Sequence, residues 1–230
     1  MNDTRITEVF SSIQGEGIFV GEPQVFVRLA KCNLDCDFCD TPKKGGRQYS
    51  DFELIELITS LAASNAASVV AVTGGEPLLY PDFLRRLLPQ LKKRNFKIYL
   101  ETNGTLPGNL KKILDHVDVV AMDMKLPGAQ KGKRSFWTEH RDFLGLAKEK
   151  KAFVKIVVTV NTTPEEIKKA AAIINDIDPR IPLVLQAVTP GRRIKKKAPL
   201  KKLLEFQRLA KVVLDDVRII PQVHRLIGAR

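Results

Sequence analysis

Three cysteines, three histidines and one tryptophan are all that this chain of 230 residues contains of those types. No stretch approaches the ~18 uninterrupted apolar residues needed to cross a membrane. The opening Met1-Asn2-Asp3-Thr4-Arg5 has no apolar core of the kind a secretory signal carries. A transmembrane protein is excluded on this reading, membrane partners are not expected, and the expected location is cytoplasmic. Internal repeats, low-complexity tracts and long Pro/Gly/Ser linkers are also missing. The expectation is therefore a single domain over residues 1–230, with 44% hydrophobic content to fill one core.

Charge is abundant and unbalanced. The formal net charge of +12 makes an anionic partner worth considering. Arg192, Arg193, Lys195, Lys196, Lys197, Lys201 and Lys202 fall in one short stretch, but no aromatic residue is interleaved there as a stacking platform for bases. A solvated surface is the favoured reading, and nucleic acid is not an expected partner.

Short apolar or β-branched runs at 24–29, 69–73, 97–100, 118–122, 153–160 and 183–188 read as buried parallel strands. Helical patterns separate them. Ser50-Asp51-Phe52-Glu53 has the form of a capping box, and Thr163-Pro164-Glu165-Glu166 joins a cap to a first-turn proline and acidic residues. Pro81-Asp82 opens a third helix with Leu84, Leu87, Leu88 and Leu91 on one face. Six strands with crossover helices predict an α/β fold around a parallel sheet, doubly wound or curled into a partial barrel. In either case the site belongs at the carboxyl ends of the strands.

All three cysteines lie in Cys32-Asn33-Leu34-Asp35-Cys36-Asp37-Phe38-Cys39, directly after the first of those strands. An odd number in one tight loop points to a metal rather than to disulfides. Closed structural zinc takes four ligands, and the nearest histidine in sequence, His116, is not placed as a fourth. An iron–sulfur cluster on three thiolates leaves one iron open to bind a cofactor, the coordination needed to hold S-adenosylmethionine and deliver an electron to its sulfonium.

The Cys-x3-Cys-x2-Cys spacing is similar to that of the radical S-adenosylmethionine superfamily, and Thr73-Gly74-Gly75-Glu76-Pro77 resembles its glycine-rich motif. A closer resemblance runs along nearly the whole chain, to the 7-carboxy-7-deazaguanine synthase family. It is carried in order by Phe10-Ser11-Ser12-Ile13-Gln14-Gly15-Glu16-Gly17, Phe26-Val27-Arg28-Leu29-Ala30, Cys39-Asp40-Thr41, Glu101-Thr102-Asn103-Gly104-Thr105, Lys125-Leu126-Pro127, Leu185-Gln186-Ala187-Val188-Thr189 and Ile220-Pro221-Gln222-Val223-His224. Ala187 stands where the family usually has proline.

That resemblance implies an abbreviated parallel (β/α)6-type partial barrel, often a homodimer. The implied reaction is ring contraction of 6-carboxy-5,6,7,8-tetrahydropterin to 7-carboxy-7-deazaguanine with loss of ammonia. The implied cofactors are a 4Fe–4S cluster on Cys32, Cys36 and Cys39, S-adenosylmethionine, and magnesium on Thr41, with a flavodoxin- or ferredoxin-like electron donor. Ile13, Gln14, Gly15, Glu16, Arg28, Thr73 and His224 are the implied substrate residues. Phe38, Asp40, Gly75, Glu76, Thr102, Asn103, Asp123, Met124, Lys125, Gln186, Ala187, Val188 and Thr189 are the implied cofactor residues. The residue types suit the substrate: the planar fork of Arg28 matches a carboxylate, and Glu16 or Gln14 can accept from an amino-pyrimidine edge.

Two other readings compete. A glycyl-radical-activating enzyme shares the cysteine spacing and the glycine-rich motif but has no need of Gln14-Gly15-Glu16 or Arg28 at these places. A basic RNA-binding protein with a structural metal lacks the expected basic and aromatic pattern. The three-cysteine loop makes a direct prediction. Anaerobically reconstituted protein should carry about four irons and four sulfides, and replacing Cys32, Cys36 or Cys39 by Ala should abolish reductive cleavage of S-adenosylmethionine. Cleavage by the triple variant would contradict it.

Overall fold

The structure, a computed structural model, describes residues 4–39, 45–130, 132, 134–190 and 194–229. Its strands are β1 (Ile6–Ile13), β2 (Pro23–Leu29), β3 (Val69–Gly74), β4 (Lys97–Thr102), β5 (Val119–Asp123), β6 (Lys151–Val158), β7 (Leu183–Ala187) and β8 (Val217–Ile219). The helices are α1 (Asp51–Ser64), α2 (Pro81–Lys93), α3 (Pro107–Lys111), α4 (Trp137–Ala147), α5 (Pro164–Ile177), α6 (Leu200–Ala210) and α7 (Val223–Leu226). The strands form one sheet in sequence order. β1 is antiparallel to β2, and every later neighbour pair is parallel.

The six strands expected from sequence are β2 to β7. β1 and β8 are additions. β1 is an edge strand, mostly half-buried, whose Thr, Glu and Ser residues hide its alternation. β8 has only three residues, too few to show a period. The expected helix starts are all present. Ser50 and Thr163 each accept from the N–H of the residue three further on, whose glutamate reaches back to the cap N–H. α2 begins at Pro81 and buries Leu84, Leu87, Leu88 and Leu91.

The sheet has apolar side chains on both faces. The main core lies on the helix side, drawing on residues from Ile6 to Val217. A second cluster gathers Phe10, Phe26, Ala71, Tyr99, Ala121, Phe153 and Val184 from β1 to β7. A flat sheet would hold its first and last strands far apart, so contacts between their ends show that the sheet curls around this cluster. Phe19, after β1, lies 5.5 Å from Tyr99 and 6.2 Å from Phe153, ring centre to ring centre. At the mouth the Val223 N–H donates to the Gly15 carbonyl at 2.8 Å, joining the chain after β8 to the chain after β1. The result is a partial barrel with its open end at the carboxyl termini of the parallel strands. Among the described residues no helix is long and apolar enough to cross a membrane.

Candidate active site

Alternation along the strands builds the cleft in two layers. Phe26, Ala71, Tyr99, Ala121, Phe153 and Val184 form the apolar floor. Two residues further along each strand come Arg28, Thr73, Glu101, Asp123, Lys155 and Gln186, all polar and all lining a cleft of ≈ 970 Å³. The register sets them side by side: Arg28 pairs with Thr73 across β2 and β3, and Asp123 with Lys155 across β5 and β6.

The cysteine loop forms one end of this cleft, with Cys32, Cys36 and Cys39 all on its wall. The Leu34 N–H donates to Cys32 Sγ at 3.4 Å, and Gln130 Nε2 donates to Cys36 Sγ at 3.5 Å. Leu34, Cys36 and Phe136 pack as a small apolar cluster with Phe38 against it. Burial pushes the Cys32 and Cys36 thiols up as free thiols.

The glycine-rich turn braces this loop directly. A Cβ at Gly74, whose φ is +120°, would come within 2.2 Å of the Leu29 carbonyl oxygen, and one at Gly75 within 2.0 Å of the Lys31 carbonyl oxygen. Gly75 N–H donates to Leu29 O and Glu76 N–H to Lys31 O, each at 2.8 Å. The glycines thus allow two backbones to touch, the β3 exit and the β2 exit that carries the cysteines.

Glu76 then ties in a third strand. Its carboxylate accepts from Thr102 Oγ1 at 2.8 Å, the Asn103 N–H at 2.7 Å and the Leu78 N–H at 3.0 Å. The side chain is fully buried, and burial pushes its carboxyl up to about 7 against those three donors. Asn103 in turn joins Asn33 of the cysteine loop at 2.9 Å and accepts from Thr105. Its backbone carbonyl accepts from His140 Nε2 at 3.1 Å.

From the cysteine loop, where Lys125 Nζ lies 4.7 Å from the centre of the Phe38 ring, a set of linked charges runs along the cleft wall. Glu101 accepts from Gln14 Nε2 at 2.9 Å and from Thr73 Oγ1 at 2.5 Å. Glu16 accepts from Lys155 and, at 2.6 Å, from Gln222 Nε2. Asp123 Oδ2 pairs with Lys125 at 2.8 Å and Lys155 at 3.1 Å. Asp123 and the lysines hold each other charged: the lysines pull Asp123 down despite burial, and the carboxylates push both lysines up. Arg28 lines the cleft with its Nε 2.9 Å from Glu8 and its guanidinium over Phe10.

The family model described as the Radical SAM superfamily matches residues 27–128. The 7-carboxy-7-deazaguanine synthase of Geobacter sulfurreducens is 39% identical, with 97% of this chain and 96% of that protein aligned. That of Methanothermobacter thermautotrophicus is 36% identical over 98% of this chain and 97% of its own length. This chain belongs to the 7-carboxy-7-deazaguanine synthase family. The crystal structure of QueE from Escherichia coli superposes with a TM-score of 0.63 at 22% identity, covering 96% of this chain and 94% of that one. At that identity the likeness speaks for the fold, and it agrees with the expected radical SAM partial barrel.

The cofactors of a 7-carboxy-7-deazaguanine synthase are a 4Fe–4S cluster and S-adenosylmethionine, and the residues present fit both. Among the described residues no three Cys, His, Asp or Glu side chains converge on a single ion. Three thiols on one cleft wall, two of them receiving N–H donors, suit a polynuclear cluster in which each thiolate binds its own iron. For S-adenosylmethionine, Gln186 Oε1 and Asp123 Oδ1 are buried acceptors without a hydrogen-bond partner among the described residues, both on residues that line the cleft.

Of the residues nominated from sequence, Ile13, Gln14, Gly15, Glu16, Arg28, Thr73 and His224 line the cleft, as do Phe38, Gly75, Thr102, Asn103, Asp123, Lys125, Gln186, Val188 and Thr189. Asp40, Thr41, Arg192 and Arg193 lie outside the described residues. The side chains of three more nominated residues are engaged elsewhere. Glu76 has its carboxylate committed to Thr102, Asn103 and Leu78, while Met124 and Ala187 belong to the helix-side core because they alternate with cleft-facing neighbours, which leaves their backbone to meet a ligand. Gln14 is also nearly buried, and it organises Glu16 N–H and Glu101. Sequence reasoning did not nominate Glu101, Lys155, Gln222 or Tyr99. Lys155 had a legible signal: a lone cation within an apolar run, two residues after Phe153.

His140 gives this region an acid sensitivity. It is fully buried, its Nδ1 has no hydrogen-bond partner among the described residues, and burial pushes it down to about 4 from an ordinary 6.5. The unfolded chain binds a proton between those values and the folded chain does not. The stability that neutral His140 contributes is therefore present above about pH 6.5 and lost as pH falls towards about 4, on the order of 3 kcal/mol in all. Chemical denaturation across this range should show a shallower acid loss in His140→Phe than in the parent. Parallel pH profiles would contradict this.

Proposed function

We propose that this chain catalyses ring contraction of 6-carboxy-5,6,7,8-tetrahydropterin to 7-carboxy-7-deazaguanine with release of ammonia, a lyase reaction in the synthesis of queuosine- or archaeosine-type 7-deazapurines. The observation that carries the reading is one cleft lined both by the cysteine loop and by Arg28, Glu16 and Glu101, in a chain matched over 97–98% of its length by two of its relatives. When bound, the cluster and S-adenosylmethionine supply radical initiation.

The chain's own residues do the rest. Cys32, Cys36 and Cys39 hold the cluster, and the backbone of Gly74 and Gly75 with Gln186 and Thr189 lines the cofactor end. Arg28, oriented by Glu8, supplies a planar fork for the substrate carboxylate. Glu16 presents acceptors to the amino-pyrimidine edge. The floor of Phe26, Tyr99, Ala121 and Phe153 keeps water from the reacting atoms. Thr41 is the proposed magnesium ligand. A flavodoxin- or ferredoxin-like electron donor and a homodimer belong to the same reading, with residues 1–230 acting as one unit. A cytoplasmic location suits thiolates that must stay reduced.

The test is anaerobic reconstitution followed by incubation with reductant, S-adenosylmethionine, magnesium and the carboxypterin. Mass spectrometry should detect carboxydeazaguanine, with S-adenosylmethionine regenerated. Arg28→Ala should weaken substrate binding roughly 30-fold or more, and Arg28→Lys should restore little because the fork is lost. Cofactor cleavage without carboxydeazaguanine in the parent would contradict the reading, and parental affinity in Arg28→Ala would remove Arg28 as the clamp.

A further inference from the structure

Lys155 belongs to no motif that carries the family resemblance, yet it sits at the centre of the cleft's charges. Its Nζ meets Glu16 on one side and Asp123 on the other, and Asp123 continues to Lys125. On its other oxygen Glu16 accepts from Gln222, whose own carbonyl oxygen accepts from Thr189. The contacts form an unbroken chain, Lys125 to Asp123 to Lys155 to Glu16 to Gln222 to Thr189, running from the cofactor end through the substrate end and back.

We propose that Lys155 and Gln222 are positioning residues that fix the Glu16 carboxylate in one orientation, so that it meets two parallel N–H donors of a 2-amino-pyrimidinone edge without reorganising. The proposal rests on the ring-contraction reading for the identity of that substrate. Each Glu16 oxygen is held by one donor, and a carboxylate oxygen has capacity for a second. The side chain is 22% exposed, and the residue lines the cleft. The backbone is fixed as well. Glu16 N–H donates to Gln14 Oε1 at 3.0 Å, and a Cβ at Gly15 would lie 2.2 Å from His224 Nδ1. The glutamate is thus held from β6, from the segment after β8 and from its own loop, and an acceptor held in this way binds its ligand without first losing side-chain freedom.

The charge balance makes Lys155 the decisive member. Glu16 is faced by Lys155 from β6, Asp123 from β5, Tyr99 from β4 and Gln222 from the segment after β8, where His224 packs against the neighbouring Gly15. Among the described residues Lys155 is the cation bonded to it. Burial by itself raises the Glu16 carboxyl, and Lys155 is the largest influence that lowers it again. Replacing Lys155 by an apolar residue leaves Glu16 buried beside Asp123 without that support, so it takes up a proton at a higher pH and loses one acceptor.

The test uses reconstituted holoenzyme, as parent, Lys155→Arg, Lys155→Met and Gln222→Leu. One readout is the Kd of 6-carboxypterin, an aromatic analogue with the same amino-pyrimidinone edge, measured by calorimetry. The other is the pH dependence of kcat/KM for the carboxytetrahydropterin. Lys155→Met should raise the Kd roughly 30-fold or more, raise KM more than it lowers kcat, and add an acid limb to kcat/KM that the parent lacks. Lys155→Arg should recover most of the affinity and remove that limb. Gln222→Leu should raise the Kd about tenfold with the parental pH profile. The proposal is overturned if Lys155→Met, or Gln222→Leu where the former does not fold, keeps the parental Kd, or if Lys155→Arg is no better than Lys155→Met. A parent that binds 6-carboxypterin but yields no carboxydeazaguanine overturns the reaction instead, and the Kd series still decides the positioning role.

Discussion

The buried carboxylate of Glu76 is the point on which the cofactor end of this cleft depends. Three loops leave three neighbouring strands there, and each carries something the site needs: the cysteines after β2, the glycine turn after β3, and Thr102 and Asn103 after β4. Backbone hydrogen bonds from Gly75 and Glu76 to Leu29 and Lys31 join the first two, and the Glu76 side chain joins the third. A buried carboxylate is costly without donors, and here it has three. His140 continues the brace by donating to the Asn103 carbonyl from α4.

The rest of the cleft follows a different principle, the alternation of a parallel sheet seen from inside its own curl. One layer of inward side chains is apolar and closes the floor. The next layer is polar and charged, and it comes at the strand ends where the chain is about to leave the sheet. Carboxylates and cations there alternate: Asp123 lies between Lys125 and Lys155, and Lys155 lies between Asp123 and Glu16. Such pairing keeps each group charged inside a largely enclosed cleft, since an unpaired charge would neutralise instead.

Much of this was legible from residues alone. The caps at Ser50 and Thr163, the leucine face of α2 and the six parallel strands follow from local chemistry and period, and they are found where expected. The three-cysteine loop was legible because its spacing has few structural explanations. β1 was not, because its polar residues sit at a sheet edge where burial is partial. That the side chains of Glu76 and Gln14 also bond the protein's own backbone and carboxylates is something that only the fold makes visible. Met124 and Ala187 could have been assigned to the core by period 2 alone, since they alternate with Asp123 and Gln186. Lys155 was legible by the same rule and was passed over for want of a motif.

If Glu76 sets the register of the three cofactor loops, its two acceptor oxygens rather than its size must matter. Glu76→Gln keeps the shape but turns an amide N–H2 towards donors, at a cost of about 1–3 kcal/mol. The decisive measurement is the S-adenosylmethionine affinity of reconstituted Glu76→Gln beside that of the parent, with circular dichroism as the check on folding. The account predicts a folded variant that binds S-adenosylmethionine roughly tenfold more weakly or worse and retains less iron. A folded Glu76→Gln with parental iron content and parental affinity would contradict it.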